Sequence, residues 1–400
     1  MERRRFIPIF VIVLSNFIGA TIVIPVLPLF TQRYFHASAE LVTLLYATFY
    51  IAQFFASPVM GRLSDRYGRL PVLFVSLFGT VVSFIIMGIA DTLPILFLAR
   101  ILDGITGGNV IVAQAYLSDI STPKQRTRAL GLVWAAFGTG LIFGPPLGGL
   151  LAQLGERVPF YGGAVISLLA LLLAWAWLDE SLTPEVRARR LSQGSPRLSR
   201  SEVIHNTPLL LMLLIGFGGQ FAMMLFQSTW SLYAGDVLFQ NMSAADVTLR
   251  AGLLFAVHGV GQLLTQLLLI EPLAVRFGEH RLVILGAILR ALSLWSLVLL
   301  PFPLSVATIG MLGFAVGSGT MMPPLQSLVT TSVREEVSGA VLGIYQSAVS
   351  LGIISGAVLS GFLFEHSPFL PYAVAGVIFM LTVMPASLLS RMGLRAAAIA

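Results

Sequence analysis

Of 400 residues, 56% are hydrophobic and only 10% are charged, and the mean hydropathy is +0.89; soluble domains carry roughly 25% charge, so most of this chain belongs in lipid. The net charge of +6 would suit nucleic acid only if basic residues gathered on one water-facing surface, and they are spread over short connectors instead, where they set topology and meet anionic headgroups. The chain has no cysteine, which excludes disulfides, thiolate nucleophiles and cysteine-ligated metals.

A membrane helix needs about 20 largely apolar residues, and twelve such runs follow in order: 6–30, 41–60, 71–90, 94–117, 129–151, 160–178, 208–233, 251–270, 282–300, 304–330, 337–364 and 369–389. The first follows a basic stretch, as a signal peptide would. It is too long for one, contains Pro25 and Pro28 and has no small-residue cleavage site, so it is read as a retained helix. With both ends placed in the cytoplasm, nineteen Lys and Arg fall on inside segments. Only Arg33, Arg157 and Arg250 fall outside, and Arg100 and Arg290 lie within helices. That bias fits the positive-inside rule with an even number of spans. It predicts a multi-pass protein of the plasma membrane, a bacterial inner membrane, with both termini cytoplasmic.

The longest polar stretch, 179–206, contains EVRARRLSQGSPRLSR and reads as a basic cytoplasmic linker lying on the inner leaflet. It separates an N-terminal six-helix bundle, 1–178, from a C-terminal one, 207–400. The halves echo each other: LGLVWAAFGTGLIFGPPLGG from Leu130 aligns with LGIYQSAVSLGIISGAVLSG from Leu342, setting Gly131, Gly140, Gly144 and Gly149 opposite Gly343, Gly352, Gly356 and Gly361. DRYG from Asp65 falls opposite VRFG from Val275 at nearly the same offset. The expected fold is an all-α membrane protein of twelve transmembrane helices in two six-helix pseudo-repeats. Repeats of this kind place a substrate site where the halves meet, near the bilayer midplane.

The loop after the second run reads GRLSDRYGRLPV, residues 61–72. In it Gly61, Leu63, Asp65, Arg66, Gly68 and Arg69 resemble the signature of the major facilitator superfamily between its second and third helices. Gly61 and Gly68 permit a tight turn and close helix approach, and Asp65, just ahead of the third helix, meets that helix's positive N-terminal end. An acid so placed serves as a conformational latch, with Asp65 capping the helix as the simpler alternative. The second-half counterpart, EPLAVRFGEHR, has Val275 where an Asp is expected, which makes the latch asymmetric.

The fourth run contains LARILDGITGGN, whose Arg100 and Gly104 resemble the superfamily's intramembrane arginine and the glycine four residues on. Asp103 shares a helix face with Arg100. Low dielectric and a neighbouring guanidinium act on a carboxylate in opposite senses, which leaves Asp103 able to exchange a proton, beside Arg100, with His258 the next intramembrane group able to do so. A permanent structural ion pair is the alternative. The fifth run holds GTGLIFGPPLGG, similar to the glycine-proline helix of the antiporter branch; Gly140, Gly144, Pro145, Gly148 and Gly149 make it pliable and closely packed. LSNFIGATIVIPVLP in the first run and YLSDIS after the fourth look most like the tetracycline-exporter and multidrug branch. That branch often has an acid where this chain has Asn16, a departure that removes a cation-binding charge and weighs against a tetracycline–metal chelate.

Polar positions recur on helical faces: Tyr46, Tyr50 and Gln53; Gln220 and Gln227; His258, Gln262 and Gln266. With Asn16 and Gln114 they outline a wet substrate cavity; for any single side chain a hydrogen bond to a neighbouring helix is the alternative. No phosphate loop, metal-ligand spacing or nucleophile elbow is present, so neither cofactor nor metal is expected, nor an enzyme. The resemblance implies a monomeric secondary active transporter whose partners are a small-molecule substrate, protons and the lipid bilayer. Proton-coupled export of drug-like or amphipathic compounds is the leading expectation. A nutrient or metabolite carrier on the same scaffold and a non-transporting membrane sensor are the alternatives.

Overall fold

The computed structural model describes residues 3–107, 109–121, 126–182, 200–299, 304–333 and 338–399. It is helical almost throughout. The first half comprises α1 (Arg3–Tyr34), α2 (Ala39–Tyr67), α3 (Arg69–Ile89), α4 (Leu93–Thr106), α5 (Asn109–Ile120), α6 (Arg126–Ala152) and α7 (Val158–Trp177). After a short α8 (Arg200–Ile204) come α9 (Thr207–Tyr233), α10 (Ala244–Leu264), α11 (Ile270–Phe277), α12 (Glu279–Leu299), α13 (Leu304–Thr331), α14 (Ser338–His366) and α15 (Leu370–Ile399). Among the described residues, twelve helical stretches are long and apolar enough to cross a membrane. α4 with α5 forms the fourth, and α10 with α11, joined by a wider π turn at Thr265–Leu269, forms the eighth. Most of the basic stretch, 183–199, lies outside the described residues.

Local chemistry sets several boundaries. Ser38 and Asn206 cap α2 and α9, accepting from the Leu41 and Leu209 amides at 3.3 and 3.0 Å. Prolines open α4, α7 and α9 within their first two residues, where a missing N–H is harmless. Gly68 and Gly278 turn the chain between the second and third spans of each half at φ 110° and 79°, a region open chiefly to glycine.

Two expectations are corrected here. Residues 61–67 are not a loop but the last turns of α2, and the eighth span runs from Ala244 to Phe277 rather than over 251–270. In both cases polarity marks where a helix leaves the apolar zone, whereas the helix itself ends at the next breaker, Gly68 or Gly278.

The chain forms two compact units, Met1–Gly194 with Phe239–Ala256, and Ser195–Leu238 with Val257–Ala400. Within the first, α1 packs against α6 and α7, and α3 against α4 and α7. Within the second, α9 packs against α14 and α15, and α12 against α13 and α15, which repeats the same pairing of first with fifth and sixth spans and third with fourth and sixth. The repeat extends to atoms. A Cβ at Gly140 would come within 2.8 Å of Phe17, and one at Gly352 would strike the Phe217 carbonyl. The first unit's core gathers Ile12, Leu73, Leu77, Val112 and Tyr116, and the second's gathers Met212, Ile215, Val283, Met321 and Tyr345. Large apolar side chains such as Phe55, Phe78, Trp175, Leu267 and Met384 point outward, where lipid rather than water is their solvent.

Candidate functional site

In the first unit, a charged cluster forms where α2, α3, α5 and the chain after α7 meet. Arg69 opens α3 and is buried. Its Nη2 lies 2.8 Å from Asp65 Oδ1, its Nε 2.8 Å from Asp119 Oδ2, and its Nη1 donates to Ser64 Oγ at 2.6 Å. The position ahead of α3 expected for Asp65 belongs instead to Glu180, whose carboxylate accepts from the amides of Arg69 and Leu70 at 2.9 and 3.1 Å. Asp65 itself sits in the last turn of α2, half exposed, one helical turn before Arg69. Gly68 provides the turn, whereas Gly61 lies within α2 with nothing within 4 Å of a Cβ built on it, so it makes no close helix approach here. Arg66 is exposed beside the Tyr67 ring. Asp119 and Glu180 escaped sequence reasoning; YLSDIS contains the first of them, but only the fold brings it to Arg69.

Deeper in the same unit, Arg100 and Asp103 of α4 are both buried and paired, Nη1 to Oδ2, at 2.7 Å. The guanidinium lies over the Phe49 ring at 4.4 Å, and its Nε reaches the Leu45 carbonyl at 3.5 Å. Gly104 lets α4 press on α2, since a Cβ there would strike the Phe49 carbonyl. An ion pair with few further hydrogen bonds in low dielectric is sensitive to any change in solvation.

The small residues of α6 form one stripe. Cβ atoms at Gly140, Gly144 and Gly148 would meet Phe17, Thr21 and Ile22 of α1, and Thr21 Oγ1 donates to the Gly140 carbonyl at 2.8 Å. Gly149 has the Leu249 backbone against it, and the Pro145 carbonyl lies against Gly252, contacts that also belong to this unit.

The polar stripes divide. Tyr46 is not a cavity group: it is buried, and its hydroxyl donates to the Ile24 carbonyl at 2.9 Å, tying α2 to α1. Gln53 donates to the carbonyl of Gly107, the residue that ends α4, at 3.1 Å. Tyr50 and Gln114 are half-buried, and Asn16 lines a small pocket with Ile12, Leu73, Leu77 and Val110.

In the second unit, Gln220 donates to Met322 Sδ at 3.6 Å, and Gln227 and Gln262 are half-buried. His258 is fully buried against the Phe314 ring at 5.4 Å, with the Met311 backbone and Gln262 as its nearest polar neighbours. The structure thus assembles two charged clusters in the first unit and leaves the glutamines of the second as a separate group.

Comparison with known proteins bears on the family and the fold. The family model described as Major Facilitator Superfamily matches residues 9–247 and 240–395. The chain is 33% identical over 349 residues to the class C tetracycline resistance protein of Escherichia coli, covering 86% of this chain and 85% of that one. It is 30% identical over 380 residues to multidrug resistance protein 2 of Bacillus subtilis, covering 92% of each. Among solved structures, a bacterial homologue of the human lysosomal transporter Spinster, 16% identical, superposes with a TM-score of 0.78 over 96% of both chains. At that identity the likeness concerns the fold alone. With the motifs, the repeated helix pairing and the matched family model in agreement, the chain belongs to the Major Facilitator Superfamily of membrane transporters.

Proposed function

We propose that this transporter works by alternating access and exports drug-like, amphipathic small molecules in exchange for protons. The observation that carries the reading is the Arg100–Asp103 pair, a carboxylate and a guanidinium buried 2.7 Å apart inside an apolar helix. Intramembrane charges are expensive and mark ion or proton pathways. The tetracycline and multidrug resistance proteins to which the chain is similar support export rather than uptake, as does the closely packed α6.

In this reading Asp103 holds the exchanged proton beside Arg100, and substrate arriving from the cytoplasm displaces it. The Asp65–Arg69–Asp119 cluster acts as the latch, with the half-exposed Asp65 as the carboxylate that changes partners between states. The termini lie in the cytoplasm, the membrane is a bacterial inner membrane, and the working unit is a monomer.

The test is flux of a panel of lipophilic cations, zwitterions and polar metabolites into proteoliposomes under an imposed pH gradient. Gradient-dependent movement of amphipathic compounds is expected. Movement of polar metabolites only, or no movement at all, would overturn the reading.

A further inference from the structure

Arg290, in α12, is among the largest fully buried side chains of the protein, and the reading above gives it no role. Its surroundings are largely apolar, with Tyr345 and His258 the titratable side chains that interact with it. The guanidinium lies 4.3 Å from the centre of the Phe379 ring and 4.9 Å from that of Phe314. Its Nη1 and Nη2 reach only the sulfurs of Met321 and Met223, at 3.5 and 3.3 Å, and its Nε has no partner. Thioethers are weak acceptors. No ion pair joins Arg290 to a carboxylate of the described residues.

A cation so placed is difficult to explain by packing. An apolar side chain of similar volume would fill the space without the desolvation penalty, and buried ion pairs replaced in that way often leave a protein more stable. Nor does the repeated fold require it, because the offset that aligns Asp65 with Val275 sets Arg290 opposite Thr80, an uncharged residue of α3. The charge is particular to the second unit.

Two features show how a ligand would reach it. Thioether chains cover the guanidinium: a Cβ at Gly219 would meet the methyl groups of Met321 and Met322 at 3.2 and 3.4 Å and Arg290 Nη1 at 4.0 Å. Methionine ends are flexible and yield easily to an incoming group, and Gln220, already bonded to Met322, borders the same wall. His258, also buried, lies against the same Phe314 ring.

We infer that Arg290 is the anchor for an oxyanion on the carried compound, a carboxylate or enolate attached to a flat apolar body that packs on Phe314, Phe379 and the methionines. The inference rests on the export reading and narrows its substrate class to anionic or zwitterionic amphipaths. A guanidinium fork binds such a group through two parallel bonds, and the ligand supplies the counter-ion that the protein lacks.

The experiment compares binding of rhodamine B and its ethyl ester to the purified full-length protein at neutral pH, by fluorescence polarisation. The dyes share one ring system, and only the first carries a carboxylate. The acid is expected to bind at least about tenfold tighter, as charge-assisted hydrogen bonds would give, although the ester is the more apolar. In Arg290→Gln the acid loses that advantage, and Arg290→Lys keeps part of it. Equal or tighter binding of the ester by the wild-type protein would overturn the inference, and so would an undiminished acid preference in folded Arg290→Gln. If Arg290→Gln does not fold, the wild-type comparison decides alone. Flux driven by a pH gradient separates the two readings: carried dye without acid preference sinks the Arg290 anchor but not export, and acid preference without flux does the reverse.

Discussion

Arg69 and Asp119 are joined at 2.8 Å with both side chains buried, while Asp65, at the same distance from the same guanidinium, is 43% exposed. The two acids therefore do different work. Removing Asp119 takes from the buried Arg69 its one solvent-shielded carboxylate and leaves it the half-exposed Asp65, a loss of up to about 3–5 kcal/mol, whereas the solvent-screened Asp65 contributes about 1 kcal/mol or less.

Asp119→Asn is accordingly expected to lower the unfolding temperature markedly. Asp65→Asn should keep near-normal stability and lose most of its transport. Thermal unfolding and flux, measured on the same preparations, check this. Normal flux in a stable Asp65→Asn protein would remove the latch, and lost folding would make Asp65 structural.

The glycines divide in the same manner. Gly144→Leu drives a side chain into Thr21 of α1, and overpacking of this kind destabilises by about 1–3 kcal/mol or more. Gly61→Ala meets open space within a helix and should stabilise by up to about 1 kcal/mol. Unfolding temperatures in one detergent compare them, and a harmless Gly144→Leu would contradict the stripe.

Much of this organisation was readable from the residues alone, for a physical reason. A span depends on an apolar run of about 20 residues, a property of the chain itself, and Gly140 and Gly352 repeat at positions that meet Phe17 and Phe217. Pairing was not readable. Glu180 reaches the start of α3 from beyond α7, and Asp119 reaches Arg69 across 50 positions; neither partner is implied by local spacing. Helical periodicity also cannot tell a polar side chain facing a cavity from one facing a neighbour's carbonyl, and Tyr46 and Gln53, on one face of α2, are both of the second kind, bonded to Ile24 and Gly107.

Tyr46→Phe is thus expected to lower stability by about 1 kcal/mol, the worth of one hydrogen bond, without changing which compounds are carried. Gln262→Leu, at a half-buried amide, should change compound preference more than protein level. A competition panel run beside expression measurements separates them, and uniform loss of every compound with poor expression of Gln262→Leu would count against its cavity role.

The central claim is that Asp103 carries the exchanged proton. The most direct measurement is substrate-induced proton movement in proteoliposomes holding a pH-sensitive dye, using compounds the wild-type protein carries. Asp103→Asn is compared with the wild type, and a doubly neutral Arg100→Gln, Asp103→Asn protein controls for the unpaired guanidinium. Proton movement is expected with the wild type and none with either variant, even where the protein is folded. Unchanged proton movement in well-folded Asp103→Asn, or recovery of coupling in the double variant, would contradict it.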